Sequence, residues 1–194
     1  MKLRLITLAL ALAVLPATEA LASSLPRADF GDRPILGVGL GGNRTWSAGG
    51  SLALDMPVYP GLALGGALNT TLAGGLNYDL RGTYRFVDGS QLTPAVAAIA
   101  GVWGAPGLAG FSSPLGVAPY LGFALAYPIN DRINLRLDLT YAALYDYAKG
   151  GETLLFLGGP PSSGLEVGYK FLPNVEATLG INGRGDFVGA NLSF

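Results

Sequence analysis

Four carboxylates, Asp79, Asp138, Glu166 and Glu176, alternate along the chain with four cations, Arg81, Arg85, Arg136 and Lys170. Paired carboxylates could support general acid–base chemistry. Nothing else in the chain joins them in such work. There is no His and no Cys, which removes Ser–His and Cys–His nucleophilic pairs and most zinc sites. Opposite charges on neighbouring strands attract, and a carboxylate confined in a narrow interior needs a partner. The pattern therefore predicts an interior ion-pair network and not an active site; no enzyme, metal or cofactor is expected.

Such a network needs strands to hold it. From Arg132 to Tyr141 the odd positions Ile133, Leu135, Leu137, Leu139 and Tyr141 are apolar, and the even positions Arg132, Asn134, Arg136, Asp138 and Thr140 are polar. Alternation of this kind sends the two sets to opposite faces of a strand. Between Leu76 and Phe86, Leu76, Tyr78, Leu80, Tyr84 and Phe86 oppose Asn77, Asp79, Arg81, Thr83 and Arg85. Leu165, Val167, Tyr169 and Phe171 face away from Glu166 and Lys170, Val175 and Leu179 from Glu176, and Leu52, Leu54 and Met56 from Asp55. The polar set that shares one face is Asp55, Asn77, Asp79, Arg81, Arg85, Asn134, Arg136, Asp138, Glu166, Lys170 and Glu176.

Ten strand candidates follow one another, near 34–42, 47–56, 61–69, 74–87, 91–103, 116–127, 132–145, 163–172, 175–182 and 185–194. Eight would remain if short segments near 34–69 were loop. One set of connections is short and made of turn formers: Pro57 to Gly61, Asp88-Gly-Ser90, Pro128-Ile-Asn-Asp131 and Pro173-Asn174. The other set is variable, with two long members, 104–115 and 146–162. Short turns on one rim and longer loops on the other is the layout of bacterial outer-membrane barrels.

The chain opens with Met1-Lys2-Leu3-Arg4, an apolar run from Leu5 to Leu15, and Ala20-Leu21-Ala22. This is the pattern of a secretory signal peptide cut near Ala22, and the run falls short of the roughly 20 residues that cross hydrocarbon as a helix. Residues 23–33, with Pro26, Asp29 and Asp32, read as a loose periplasmic tether without a core of its own. The barrel is expected to occupy 34–194. Half of the chain is hydrophobic and 13% is charged, against about 25% in an ordinary soluble domain. A wall facing lipid accounts for the missing charge. The net charge of −1 is no footprint of a nucleic-acid binder.

Two orientations of the faces are conceivable. A soluble, lipocalin-like barrel points its apolar set inward; a membrane barrel inverts the order. Aromatic residues near strand ends on the apolar face, Tyr84, Phe86, Tyr127, Tyr141 and Phe171, stand where interfacial girdles form and favour inversion. The predicted fold class is an all-β, closed antiparallel transmembrane barrel.

The ending carries apolar residues at Val188, Ala190, Leu192 and Phe194. With the signal peptide, this terminal strand resembles that of small Gram-negative outer-membrane β-barrel proteins of the porin-like superfamily. The resemblance is one of architecture and assigns no subfamily. It implies residence in the outer membrane, lipid as a partner, recognition of Phe194 by the insertion machinery, and Pro128 to Asp131 as a periplasmic turn. No appended peptidoglycan-binding domain is expected, since the chain stops at the last strand.

The expected function is a structural barrel or a narrow pore that passes small solutes through a charged lumen. Alternatives are a surface-binding or adhesion module acting through 104–115 and 146–162, and a barrel carrying a small apolar ligand. The wall at 92–126 has a lumen face made mostly of Ala and Gly; a cavity against that wall, or a gap filled by neighbouring side chains, are both consistent with it. Arg184-Gly-Asp186 matches an adhesion tripeptide, but Asn182-Gly183 and Gly185 are what a tight hairpin needs in any case.

Overall fold

A computed structural model describes residues 25–43, 46–71, 76–105, 116–143, 146, 163–182 and 185–194. The expected signal peptide, most of 104–115 and 146–162, and Arg184 lie outside them. Ten strands follow in chain order: β1 (Ile35–Asn43), β2 (Trp46–Tyr59), β3 (Leu62–Thr71), β4 (Leu76–Val87), β5 (Ala95–Gly104), β6 (Val117–Pro128), β7 (Ile133–Ala142), β8 (Gly164–Leu172), β9 (Val175–Asn182) and β10 (Gly185–Ser193). Each pairs antiparallel with its neighbours in sequence, and β10 pairs with β1 from Ile35↔Ser193 to Gly42↔Asp186. The sheet is a closed barrel. Closure removes the two free edges that an open sheet would have.

The even strand number brings the start of β1 and the end of β10 to one rim, called here the near rim. Four short connections lie at it. In the β2–β3 turn Gly61 adopts φ +78°, a left-handed backbone that glycine takes without a Cβ clash, and its carbonyl accepts from the Arg85 amide at 2.6 Å. In the β6–β7 turn the Asn130 side-chain oxygen accepts from the amides of Arg132 and Ile133, at 2.8 and 2.9 Å. This is why Asn suits a tight turn.

The wall alternates as a strand must, with the apolar side chains outside. Leu40, Leu80, Leu121, Phe123 and Leu179 are exposed, whereas Asn77, Asp79, Arg81, Asn134, Arg136 and Glu166 are buried in the interior. Among the described residues the small-residue wall of β5 and β6 is filled. Ala97, Ala118 and Ala124 have 0% exposure, which excludes a water-sized space beside them. Trp103, Tyr120 and Ile99 occupy the room that the alanines leave, together with Ala28.

Residues 25–33 are not a loose tether. Leu25, Pro26, Arg27, Ala28 and Phe30 are buried, and Phe30 packs in one cluster with Ile35 and Ala63. The segment runs without regular structure inside the near half of the barrel; Gly31, Asp32 and Arg33 are exposed, and Asp29 and Pro34 are partly so. It folds inward because its two charges find partners on the barrel wall.

Candidate functional site

Among the described residues the interior holds two ion-paired groups. In the first, Arg136 projects inward from β7 and is nearly inaccessible. Its Nη1 pairs with Glu166 on β8, and its Nη2 with Glu176 on β9 at 2.7 Å. The strand register sets Arg136 opposite Glu166, so the first contact follows from the ladder itself. The Asp29 carboxylate of the N-terminal segment meets the same guanidinium two-pronged, Nε to Oδ1 at 3.1 Å and Nη2 to Oδ2 at 2.8 Å. Arg27 completes the group, with Nη1 on Glu176 at 3.0 Å and Nη2 on Asp29 at 3.0 Å. Glu176 further accepts from Asn134 at 3.4 Å and from Asn191 at 3.2 Å.

In the second group Arg81 on β4 binds Asp79 at 2.7 Å and Asp55 at 3.0 Å. The Tyr120 hydroxyl of β6 donates to Asp79 over the intervening β5. Asp55 occupies the space beside Gly65, where a Cβ would collide with its carboxylate. Glycine at 65 is thus a condition of the Asp55–Arg81 pair.

Seven of the eleven polar residues singled out from the sequence belong to these groups; Asn77 is buried on β4, and Arg85, Lys170 and Asp138 stand apart. Arg85 lies near the rim, half-buried, pairing with Asp88 of the adjoining turn at 2.8 Å. Lys170 faces Glu176 in register, but Glu176 is engaged by Arg27 and Arg136, and the Lys170 side chain forms no ion pair among the described residues. Asp138 is fully buried, and its carboxylate has no hydrogen-bond partner among the described residues. The expected network does not reach it, because its register neighbours are Ala124 and Gly164, which offer no side-chain donor.

Sequence periodicity missed Arg27 and Asp29. Their segment has no strand repeat, and the Asp29–Arg136 contact spans 107 residues. The available sign was the apolar Leu25 and Phe30 on either side of the two charges. Burial would raise the Asp29 carboxyl, but Arg136 and Arg27 outweigh it and hold the group well below its ordinary value of 3.8. A depressed folded value means that the Asp29 contribution is fully present above the unfolded value and is lost only as pH falls through the folded one. The carboxyl carbon resonance of Asp29 should accordingly stay at its ionised position from neutral pH down to 3.8. Half-titration at that pH would show the two pairs to be absent in solution.

At the near rim an open pocket of about 400 Å³ lies beside the segment, bordered by Arg27, Asp29, Arg33, Lys170, Glu176 and Asn191. Among the described residues no cluster of His, Cys, Asp or Glu has the arrangement of a metal site.

No family model matches the chain, and no curated protein is similar to it. Several solved chains are similar, among them two structures of a KdgM porin. A KdgM porin aligns with 82% of this chain and 99% of its own at 12% identity, with a TM-score of 0.48. A KdgM porin in complex with disordered oligogalacturonate aligns with 85% of this chain and 86% of its own at 15% identity, with a TM-score of 0.43.

Proposed function

We propose that this chain is a non-enzymatic outer-membrane barrel of porin-like architecture whose charged lumen is closed at rest. The observation that carries the reading is the inside-out distribution of the wall. Large apolar side chains stand exposed on the outer faces of successive strands, from Val38 and Leu40 on β1 through Leu121 on β6 to Val188 on β10, while the arginines and carboxylates are buried. Monomeric soluble proteins rarely show contiguous apolar patches beyond a few hundred Å². Hydrocarbon is the solvent that suits such a belt, and a closed sheet is one of two structures that satisfy every backbone group within it.

Aromatic side chains support the placement. Tyr84, Phe86, Tyr127 and Phe171 are exposed toward the near rim, which suits an interfacial girdle there; Tyr141, opposite Leu121 in the ladder, lies deeper in the belt. The short turns at the near rim suit the periplasmic side. Phe194 is exposed and open to the insertion machinery.

The closed state rests on the filled interior. Arg81, Trp103, Tyr120 and Arg136 are all buried, and residues 25–30 occupy the near half. A structural role, or a pore that opens by rearrangement of these groups, accords with this filling; the carriage of an apolar ligand against the β5–β6 wall does not. The test is to purify the chain and reconstitute it in planar bilayers. It should require detergent or lipid to fold and give no steady conductance at rest. A folded monomer in plain buffer would overturn the location, and a persistently open channel would overturn the closed lumen.

A further inference from the structure

We propose that the near half of the barrel interior is a peptide-binding site, occupied in this structure by the chain's own residues 25–30. This depends on the interior geometry and not on the location in a membrane. The segment is held as a bound peptide is held, by side chains fitting prepared partners. The Asp29 carboxylate lies in the fork of Arg136, and the Arg27 guanidinium meets Glu176. Ala28 joins the small-residue cluster of β5 and β6. The Phe30 ring lies 4.9 Å from the Arg85 guanidinium carbon, and the Phe30 carbonyl accepts from Arg85 Nη1. A cation over an aromatic face is an attractive arrangement, and a two-pronged Arg–carboxylate contact is directional as well as strong.

The seat does not need the segment in order to exist. Arg136, Glu166, Glu176 and Arg85 all belong to barrel strands, and Arg136 keeps Glu166 and Glu176 when Asp29 is gone. Asn134 and Asn191 continue to orient Glu176. Gly31, Asp32 and Arg33 are exposed, and Gly31 has no neighbour that a Cβ would touch, which makes 31–33 a hinge on which the segment can leave without disturbing β1. The ligand class follows from the contacts: a short, bent peptide with a basic and an acidic residue two apart, a small residue between them, and an aromatic residue after the acid.

The test uses a variant lacking residues 25–30, folded in the same detergent as the intact chain, and a fluorescent peptide Leu-Pro-Arg-Ala-Asp-Phe. Fluorescence anisotropy should show saturable binding to the variant and binding to the intact chain weaker by about tenfold or more, since there the seat is occupied. The isomeric peptide Leu-Pro-Asp-Ala-Arg-Phe has the same composition and net charge but places each charge against its like. It should bind the variant on the order of tenfold more weakly or worse. Should the shortened chain fail to fold, full-length Asp29→Lys, whose substitution lies outside the barrel strands, takes its place and should bind the first peptide as the variant does. Equal binding of the two peptides, or no binding to a folded barrel whose segment is deleted or carries Asp29→Lys, would overturn the proposal.

Discussion

Arg136→Ala should lower the unfolding free energy of the barrel by about 3–5 kcal/mol, the cost of leaving buried charge without its partner. Arg136 serves three carboxylates at once, Asp29, Glu166 and Glu176. They belong to the N-terminal segment, β8 and β9, and the residue itself to β7. Its loss leaves Glu166 without an ion-pair partner among the described residues, whereas Asp29 and Glu176 each keep Arg27. Arg136→Lys should recover only part of the loss, since a point charge on a flexible stem cannot reproduce the fork that holds Asp29. Arg81→Ala should cost a comparable amount, because Asp55 loses its ion-pair partner as Glu166 does, while Asp79 retains the Tyr120 hydroxyl. Urea titration of the barrel folded in lipid vesicles measures all three. A loss below about 1 kcal/mol for Arg136→Ala, the size of an exposed pair, would show that the interior around it is hydrated and the ion pairs are screened.

How much of this was legible in the sequence depends on where each contact comes from. Strand β7 could be read from 132–141 because ten residues alternate without a break, and the structure places it at Ile133–Ala142. The ten strands are those expected, with ends displaced by a few residues, most visibly at β5, which starts at Ala95 and not near 91. There Ser90 and Thr93 close a turn through hydroxyl and backbone contacts and hold those residues out of the ladder. Pairs made by the ladder were legible too, since Arg136 and Glu166 are both inward-facing and opposite in register. What was not legible lies across the interior. Tyr120 shares the inward face of β6 with Ala118 and Ala124, and alternation alone weighs its ring no more than their methyl groups. Its ring lies over Gly101 of the intervening β5, which lets the hydroxyl reach Asp79 on β4. Asp138 shows the converse: its periodicity is that of Arg136, but its neighbours Ala124 and Gly164 leave it outside the network.

Leu121→Arg separates a lipid-facing wall from a water-facing one by size of effect. Leu121 lies near the middle of β6, is 68% exposed, and stands between Ala100 and Tyr141 in the ladder. On a surface in water, replacing so exposed a leucine would shift stability by no more than about 0.5 kcal/mol. Near the bilayer midplane, an arginine on the outer face of a barrel costs about 2–4 kcal/mol. Leu92 supplies the internal comparison: it is 88% exposed, but in the near-rim connection between β4 and β5, beyond the belt. Leu92→Arg should therefore be close to neutral in either setting. Folding titrations in vesicles should show a large penalty at 121 and almost none at 92. Equal, small effects at both positions would place water against β6, and the outer apolar belt would then need an occupant other than lipid.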